Sequence, residues 1–364
     1  MRPALPQTTE FSGHPPDAAQ RLEGLPEVLH VVAFPRWKWR VIRQCFPGHT
    51  LRFVQAENIT QQARCLVLWG TSAVPHGAAA DVQVLRVEDG FLRSVGLGAE
   101  LVRPLSWVID TRGIYYDAGQ QSDLEWLLGH ATFAPALLDR ARALRARIVS
   151  AGLTKYNVGS QAWQRPRHAS QVILVPGQVE SDASIAFGAP GLCRNMELLQ
   201  HVRQDNPSAY VLYKPHPDVA ARLRITGVDE ERARQWCDAV VTDVPMHVLL
   251  DAVDTVHVLT SLTGFEALLR GKAVTCHGQP FYSGWGLTQD VLPHRRRSRT
   301  LSLDELVAAA LILYPLYLER GGDGLVSPER ALDQLAQWKV RKGSTPAWWI
   351  EIYRFFLRRF IGVR

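Results

Sequence analysis

Short apolar segments alternate with amphipathic ones along most of the chain. A first set of strand-like segments follows residue 27: VLHVVAF, TLRFV, CLVLWG, VQVLRV and LSWVID. A second set follows residue 170: QVILVP, AYVLYK, DAVVT, TVHVLT and KAVTCHG. Helical segments lie between them, among them PALLDRARALRARIVSAG and NMELLQHVRQD. This alternation, present twice, predicts two open parallel sheets covered by helices, and therefore an α/β fold.

Two Rossmann-like domains that face each other across a cleft form a GT-B-like architecture, that of many glycosyltransferases, although a fold alone does not fix a function. We predict an N-terminal Rossmann-like domain over residues 25–165 and a C-terminal one over residues 166–300. The length of 364 residues suits two domains. Residues 1–24 lack the apolar core of a signal peptide, so we predict a loose tail there.

Residues 301–364 are predicted to hold C-terminal helices. The run LVAAALILYPLYL is too short to span a bilayer, and Ser302 and Glu305 before it have capping-box spacing, which predicts a buried helix. The last segment, STPAWWIEIYRFFLRRFIGVR, spaces aromatic residues three and four apart, with arginines beside them. Two interpretations are open: the helix packs back on the N-terminal domain, or it lies on an anionic membrane surface.

Composition excludes several classes of protein. The chain is 46% hydrophobic and 21% charged, which is typical of a globular enzyme rather than a disordered or fibrous chain. A net charge of +6 permits an anionic ligand, a nucleotide or an acidic membrane surface. The five cysteines are scattered and never spaced as CxxC, so a reducing cytoplasm is predicted, without disulfides or a zinc site. No motif indicates a metal, another cofactor or a nucleic-acid partner.

Polar loops follow several predicted strands. They are PGQVESDAS, KPHPD, TSLTGFEALLRG and HGQPFYSGWGLTQD in the second half and EDGFLRSVGLG in the first. In doubly wound sheets the ligand lies outside the carboxyl ends of the strands. We therefore expect these loops to converge on one crevice.

The segment KPHPDV holds one imidazole between two prolines. Each proline fixes its own φ and restricts the residue before it, so His216 has little freedom of direction. In TSLTGFEALLRG, Thr263 and Glu266 have capping-box spacing and predict a helix from about Gly264, with the Ser261 and Thr263 hydroxyls at its amino terminus. Such a terminus binds phosphate. A surface histidine and an ordinary capped helix remain the alternatives.

Paired carboxylates stand at two strand exits. Glu88 and Asp89 precede a glycine, and Glu180 and Asp182 are two residues apart, so an extended backbone would point them the same way. Glycosyl transfer needs carboxylates as nucleophile and as general acid or base, while turns use carboxylates simply as caps. Arg93 would hold an anionic group or form a salt bridge to Glu88 or Asp89.

Several of these segments resemble one module of the bacterial capsule polysaccharide β-Kdo transferases of the KpsC type. They are EDGFLRSVGLG, GIYYDAG, GLTKYN, KPHPDV and TSLTGFEALLRGKAVTCHGQPFYSGWGLTQD, in order from about Trp69 to Asp290. The resemblance implies a GT-B-like fold and the transfer of Kdo from CMP-β-Kdo with retention of configuration. The acceptor that the resemblance implies is a glycolipid or a Kdo-terminated glycan. Many members of that family carry two modules in tandem.

The resemblance also implies roles for individual residues. Asp182 matches a nucleophilic carboxylate, with Glu88 and Asp89 as the second carboxylate or as the group that serves the acceptor hydroxyl. The donor site that it implies consists of Lys214, His216, Pro217, Ser261, Thr263, Gly264, Arg93 and Gln279. A helix end, a lysine and a histidine would neutralise the single phosphate of CMP, so no metal and no cofactor is expected.

The sequence therefore predicts a retaining, CMP-Kdo-dependent β-Kdo transferase of capsule polysaccharide biosynthesis that acts by double displacement. Its N-terminal domain would bind the acceptor and its C-terminal domain the CMP-sugar. The enzyme would be cytoplasmic, peripheral at the inner membrane, and near other proteins of capsule synthesis and polysaccharide transport. Two alternatives are a transferase for another CMP-ulosonic acid and a non-catalytic capsule assembly or export factor that binds glycolipid.

Overall fold

The computed structural model describes residues 17–96 and 102–343, which form two β-sheets with helices around them. The strands, in chain order, are β1 (Val28–Val32), β2 (Thr50–Val54), β3 (Cys65–Trp69), β4 (Gln83–Asp89), β5 (Ser106–Asp110), β6 (Val172–Pro176), β7 (Tyr210–Lys214), β8 (Ala239–Val240), β9 (Thr255–Val258), β10 (Ala273–Cys276), β11 (Gln289–Asp290), β12 (Pro315–Leu318) and β13 (Leu325–Val326). The α-helices are α1 (Arg36–Cys45), α2 (Asp123–His130), α3 (Pro135–Ser150), α4 (Ala183–Gly188), α5 (Asn195–Asp205), α6 (Pro217–Ala220), α7 (Met246–Ala252), α8 (Leu262–Leu269), α9 (Leu303–Val307) and α10 (Pro328–Gly343).

The second sheet confirms the predicted parallel arrangement. Its strand order is β11-β10-β9-β6-β7-β8, and every neighbouring pair is parallel. All residues of β6 are buried, as expected for a central strand covered by helices on both faces. The carboxyl ends of β6, β7, β9 and β10 therefore lie along one edge.

The first sheet departs from the prediction of a wholly parallel sheet. Its order is β13-β12-β5-β4-β3-β1-β2, and the pairs between β1, β2, β3 and β4 are parallel. Strand β5, however, is antiparallel to β4 and to β12. The stretch from Gly90 to Leu105 that connects β4 to β5 holds no helix among its described residues, and a parallel crossover usually contains one.

The segment after residue 300 is only partly helical. The capping box of Ser302 and Glu305 is present and begins α9, which continues as a π-helical turn over Ala308–Leu313. The predicted helix then stops, because Pro315 cannot continue it, and Pro315–Leu318 form the strand β12 of the first sheet. The chain thus returns to the first sheet after it has completed the second.

Aromatic side chains join the two halves beneath their facing edges. Phe91, just after β4, stacks on Phe281, just after β10, with ring centroids 4.5 Å apart. Phe265 of α8 lies 5.3 Å from Phe281 in the same cluster. All three rings are buried in the hydrophobic core, which draws residues from both sheets. This contact fixes the spacing of the two edges at their base.

The chain's described start is bound to the body of the protein. Arg21, which falls in the segment predicted as a loose tail, donates hydrogen bonds to the carbonyls of Leu313 and Tyr314 at 2.8 Å each. Ala18 is buried. The predicted terminal helix over STPAWWIEIYRFFLRRFIGVR lies outside the described residues, as do residues 1–16.

Candidate active site

The facing edges of the two sheets enclose a cleft of about 560 Å³. The loops that follow β4, β6, β7 and β9 all line it, and so do the first turns of α1, α4 and α8. The predicted convergence of polar strand exits on one crevice is thus what the structure shows. Most residues singled out from the sequence meet there: Glu88, Asp89, Arg93, Asp182, Lys214, His216, Pro217, Ser261 and Thr263.

Gly264 and Gln279 are placed differently. Gly264 packs so closely on Tyr282 that a Cβ at this position would lie 2.3 Å from the tyrosine oxygen, so this glycine permits α8 to approach its neighbour. The Gln279 side-chain amide donates to the carbonyl of Pro293 at 2.7 Å, and neither residue lines the cleft. Nothing in their contacts gives either of them a direct role in binding.

The amino end of α8 points its hydroxyls into the cleft through a different cap from the predicted one. Ser261, not Thr263, is the N-cap, and its hydroxyl accepts from the backbone N–H of Thr263 at 3.3 Å. Glu266 does not close a capping box, because its carboxylate accepts instead from the backbone N–H of Lys155 at 2.6 Å. Ser261, Leu262 and Thr263 of this helix end line the cleft, and a phosphate site there stays a prediction.

His216 is held as a neutral ring. Its Nδ1 accepts from the backbone N–H of Asp218 at 3.2 Å, so the imidazole caps the short helix α6, with Pro217 at the first helical position. Burial, followed by the nearby Lys155 ammonium, lowers the pKa of His216 to about 3. With Nδ1 occupied as an acceptor, the single proton of the neutral ring is on Nε2. The ring therefore offers one fixed donor to a ligand oxygen.

Lys214 serves the backbone instead of standing free in the cleft. Its ammonium donates to the carbonyls of Thr242 and Val244 at 3.0 and 2.8 Å, and the side chain is buried. Burial lowers its pKa to about 8. These two bonds tie the end of β7 to the loop after β8, so the predicted contact with a phosphate would have to compete with them.

The two carboxyl groups at the end of β4 differ in protonation state. Asp89 accepts a 2.6 Å hydrogen bond from the guanidinium of Arg93, as the salt-bridge interpretation of Arg93 required. Burial alone would raise the pKa of Asp89, but Arg93 and Lys38 outweigh it and hold that pKa below its usual range. Glu88, by contrast, is desolvated next to the Asp89 charge, and the pKa of Glu88 rises to about 8. At neutral pH one carboxyl is ionised and paired, while the other carries a proton.

Asp182 faces these groups from the other wall. It is the N-cap of α4, with one carboxylate oxygen accepting from the backbone N–H of Ser184 at 2.8 Å, and it is exposed to the cleft. Glu180 does not point the same way, contrary to the extended geometry expected for this loop. Its two oxygens accept from the backbone N–H groups of Asn195 and Val228. A turn between the two residues separates their directions.

No role is predicted from the sequence for Lys155 and Tyr156, which lie in the segment GLTKYN and line the cleft. Asn157 holds this segment in the cleft through its left-handed backbone (φ 53°) and through a 3.0 Å bond from its side chain to the Ser94 carbonyl. Tyr156 and Asp182 raise the pKa of Lys155 to about 12 despite its burial, so its positive charge is fixed. An Asn that tolerates a left-handed turn directly after Lys-Tyr was the available signal.

Two further residues of the cleft wall, Trp37 and Lys38, were also missed. They belong to the first turn of α1, which follows β1. The sequence predicts no role for their segment, RWKWRVIRQC, whose polar residues are ordinary for a surface helix. Gln178 was missed as well: its amide exchanges hydrogen bonds of 2.9 and 3.0 Å with Thr260 and joins the loops after β6 and β9.

Neither a metal centre nor a membrane span is evident in the described part of the chain. Within residues 17–96 and 102–343, no group of three or more His, Cys, Asp and Glu side chains has the arrangement to hold a metal ion. Over the same ranges, no helix combines the length and the apolar character needed to cross a bilayer.

Comparison with known proteins gives a family match that spans most of the cleft-forming residues. Residues 64–317 match the model of a family described as capsule polysaccharide biosynthesis protein. The capsule polysaccharide modification protein LipA of Neisseria meningitidis is 42% identical over 322 residues, which cover 85% of this chain and 46% of LipA. The lipopolysaccharide-processing protein LpsZ of Rhizobium meliloti is 40% identical, over 86% of this chain and 75% of LpsZ. The chain thus spans about half the length of LipA.

Two solved structures resemble the fold closely. Both belong to KpsC of Thermosulfurimonas dismutans. The β-Kdo 2,7 transferase is 40% identical with a TM-score of 0.73, covering 86% of this chain and 100% of that one. The β-Kdo 2,4 transferase is 30% identical with a TM-score of 0.71, covering 84% and 97%. These similarities confirm the predicted GT-B-like architecture of two facing Rossmann-like domains.

Proposed function

The chain belongs to the capsule polysaccharide biosynthesis protein family, and from that premise we propose that it is a retaining β-Kdo transferase that uses CMP-β-Kdo as donor. The observation that carries this proposal is the pair of unlike carboxyl groups on opposite walls of one cleft. Asp182 is exposed to the cleft from α4, and Glu88 lies across from it with its pKa raised to about 8. Glycosyl transfer with retention needs one group to attack and a second to manage the proton.

In the first step of the proposed mechanism, a carboxylate oxygen of Asp182 attacks the anomeric carbon of Kdo. The bond from that carbon to the CMP phosphate breaks, and CMP leaves with the bonding electrons. The product is a glycosyl ester on Asp182. Asp89 is less suited to this attack, because its carboxylate is already paired with Arg93 at 2.6 Å. Glu88 is less suited because its proton blocks it at neutral pH.

In the second step, the acceptor hydroxyl attacks the same carbon and the ester bond to Asp182 breaks. The hydroxyl proton passes to Glu88, in the fraction of molecules where that carboxyl is ionised. Two inversions give overall retention of configuration. A base with a pKa close to the working pH is efficient, because it is partly ionised and still basic enough to take the proton.

The donor nucleotide would lie against the second-domain wall. The amino end of α8 with its Ser261 and Thr263 hydroxyls suits the phosphate of CMP. The Nε2–H of His216 would donate to the phosphate or the ribose, beside Pro217. Lys155, whose charge is fixed, supplies the cation there that Lys214 does not, and a site of this kind has no need for a metal.

The similarity to the two structures favours one linkage. Identity is 40% with the β-Kdo 2,7 transferase and 30% with the β-Kdo 2,4 transferase. We therefore propose a β2,7 linkage as the product. The test is to incubate the purified chain with CMP-Kdo and Kdo-terminated acceptors and to determine the product linkage by NMR. Transfer of sialic acid but not Kdo would favour another CMP-ulosonic acid transferase, and no transfer at all would favour a glycolipid-binding assembly factor.

We also propose that the enzyme works in the cytoplasm at the inner membrane, where a lipid-linked acceptor would be found. The support is the aromatic and arginine-rich composition of the last segment of the sequence, from Ser344 to Arg364. Co-sedimentation with anionic liposomes should require that segment and weaken with salt. Equal sedimentation by a chain that ends at Gly343 would reject the proposal.

A further inference from the structure

One ammonium group in the cleft has neither a hydrogen-bond acceptor nor an ion-pair partner among the described residues. Lys38 lies in the first turn of α1, with its Nζ 2.8 Å from the ring centroid of Trp69 and 5.1 Å from that of Trp37. Within the described ranges this Nζ makes no hydrogen bond and no ion pair. Lys214, on the opposite wall, has both of its backbone carbonyl acceptors in place. Lys214 thus joins backbone segments, whereas the Lys38 ammonium contacts indole rings.

The carboxylates near Lys38 attract its charge, but neither forms an ion pair with it. Asp89 and Glu88 attract it and Arg93 opposes it, all three from β4 and the loop after it. Asp89 is already paired with Arg93, and Glu88 holds a proton at neutral pH. Burial lowers the pKa of Lys38 to about 8, so the ammonium form still prevails at neutral pH. An anion that enters the cleft would find an ammonium with its donors available.

The neighbouring indole ring of Trp37 is exposed in the cleft. It is 44% exposed although it lines the cleft. Trp39, on the same helix, shows the contrast: it stacks on Phe53 at 4.3 Å and donates its indole N–H to the Phe34 carbonyl. An exposed aromatic face beside a cation suits a ligand that combines an apolar ring face with a negative charge. A sugar ring that carries a carboxylate or a phosphate has this combination.

We propose that Trp37, Lys38 and Trp69 form the acceptor subsite, in which Trp37 stacks on the sugar ring next to the reacting hydroxyl and Lys38 binds an anionic substituent of the acceptor. This inference rests on the proposed function. It places the acceptor on the wall that holds Glu88, the group proposed to take the hydroxyl proton. The donor would then bind to the opposite wall without overlapping the acceptor. The anion is either a sugar carboxylate or the phosphate of a lipid-linked glycan.

The experiment measures kcat/KM for acceptors of the same core that bear a carboxylate, its neutral methyl ester or a phosphate. The informative quantity is the ratio of anionic to neutral acceptor within each variant, because an indirect effect of the substitution on Glu88 cancels in that ratio. We expect Lys38→Gln to lower this ratio about tenfold, through KM, and Lys38→Arg to restore most of it. Lys272→Gln, in the turn between α8 and β10 and outside the cleft, should leave this ratio unchanged.

Substitution of the indole tests the stacking part. Trp37→Ala should raise KM for every acceptor, charged or neutral, and Trp37→Phe should recover part of the loss. A Lys38-dependent ratio for the carboxylate alone, or for the phosphate alone, supports the subsite and identifies its anion. An unchanged ratio in Lys38→Gln overturns it. A wild-type enzyme without any Kdo transfer refutes the proposed function instead, so the two failures are distinguishable.

Discussion

The two walls of the cleft are built from different chemistry. The second-domain wall offers a ligand groups that do not titrate near neutral pH: hydroxyls, helix N–H groups and a neutral imidazole held by the Asp218 N–H. Lys214 and Glu266 on that wall have pKa values shifted to about 8 and about 7, but both are bound to backbone groups. The first-domain wall presents groups poised to change state, with a protonated Glu88 beside an ionised Asp89 and an ammonium of lowered pKa on Lys38. Fixed donors suit the binding of a nucleotide, whereas a titrating carboxyl suits proton transfer. We therefore propose that the second-domain wall recognises the donor and the first-domain wall activates the acceptor.

Removal of the attacking carboxylate should have the largest effect. We expect Asp182→Asn to lower transfer by roughly 10⁴-fold, because no covalent route remains. CMP affinity should change by less than about threefold, since the nucleophile acts on the sugar. Steady-state kinetics and calorimetric titration with CMP measure the two quantities. Glu180→Gln is the matched control, and it should keep transfer because Glu180 faces Asn195 and Val228. Substantial transfer by Asp182→Asn would remove this residue from the mechanism.

The proposed role of the first-domain wall in proton transfer is tested by substitution of Glu88. We expect Glu88→Gln to lower transfer by about 10²- to 10⁴-fold, the usual worth of a general base. In the wild type, kcat should rise with pH up to about 8, because only the ionised form of Glu88 accepts the proton. The variant should lose that rise. A wild-type profile that is flat from pH 6 to pH 8 would contradict the role of Glu88 as base.

The proposed role of the second-domain wall in nucleotide binding is tested by substitution of His216. We expect His216→Ala to fold normally and to weaken CMP binding about tenfold, the worth of one hydrogen bond to a charged group. Because its pKa is lowered to about 3, His216 stays neutral from pH 5 to pH 8, so its contribution should not change over that range. Calorimetric titration of both proteins with CMP at several pH values measures this. Equal affinity in the variant would exclude His216 from the donor site.

Lys214 separates a structural role from a binding role on the same wall. Lys214→Met leaves the Thr242 and Val244 carbonyls without their donor, at a cost of about 1–3 kcal/mol. We expect Tm to fall by several degrees and CMP affinity to change by less than about threefold. Thermal unfolding and CMP titration of the same preparation measure both. A large loss of affinity with an unchanged Tm would return Lys214 to the phosphate site, as the sequence first suggested.

The smallest expected effect is that of a chelator. Transfer should be the same with and without EDTA, because the proposed donor site neutralises the phosphate with a helix end, Lys155 and His216. The measurement is the initial rate after dialysis against EDTA. An activity that is lost and then restored by magnesium or manganese would show that the phosphate is held differently.

The strand exits could be predicted from the sequence because each follows a short apolar run whose period and length are local properties. Side-chain directions could not. We predict a capping box from Ser/Thr-x-x-Glu spacing at two places, and Ser302 with Glu305 forms it. Thr263 with Glu266 does not, because the Lys155 N–H, which is distant in sequence, binds the Glu266 carboxylate instead. A long-range partner decides between two geometries that are locally equivalent.

The same reason explains what was missed. Lys38 has no sequence signature, and Lys155 has only the Asn157 that follows it, since their surroundings in the cleft are created by the meeting of the two sheets. The antiparallel strand β12 was misread as helix because an apolar run near a helix start suits either element. Pro315 is the local signal that the helix ends there. The sequence thus locates the cleft but not the state of each group inside it.

Intact-mass spectrometry of the full chain with CMP-Kdo alone would detect the proposed glycosyl ester. Without an acceptor, we predict an added mass of one Kdo residue, located on the peptide that contains Asp182. The adduct should accumulate further in Glu88→Gln, which forms the ester but resolves it slowly, and it should be absent in Asp182→Asn. An adduct on Glu88 or Asp89 would reassign the nucleophile and keep double displacement. Retaining transfer without an adduct in the wild type or in Glu88→Gln would contradict the mechanism.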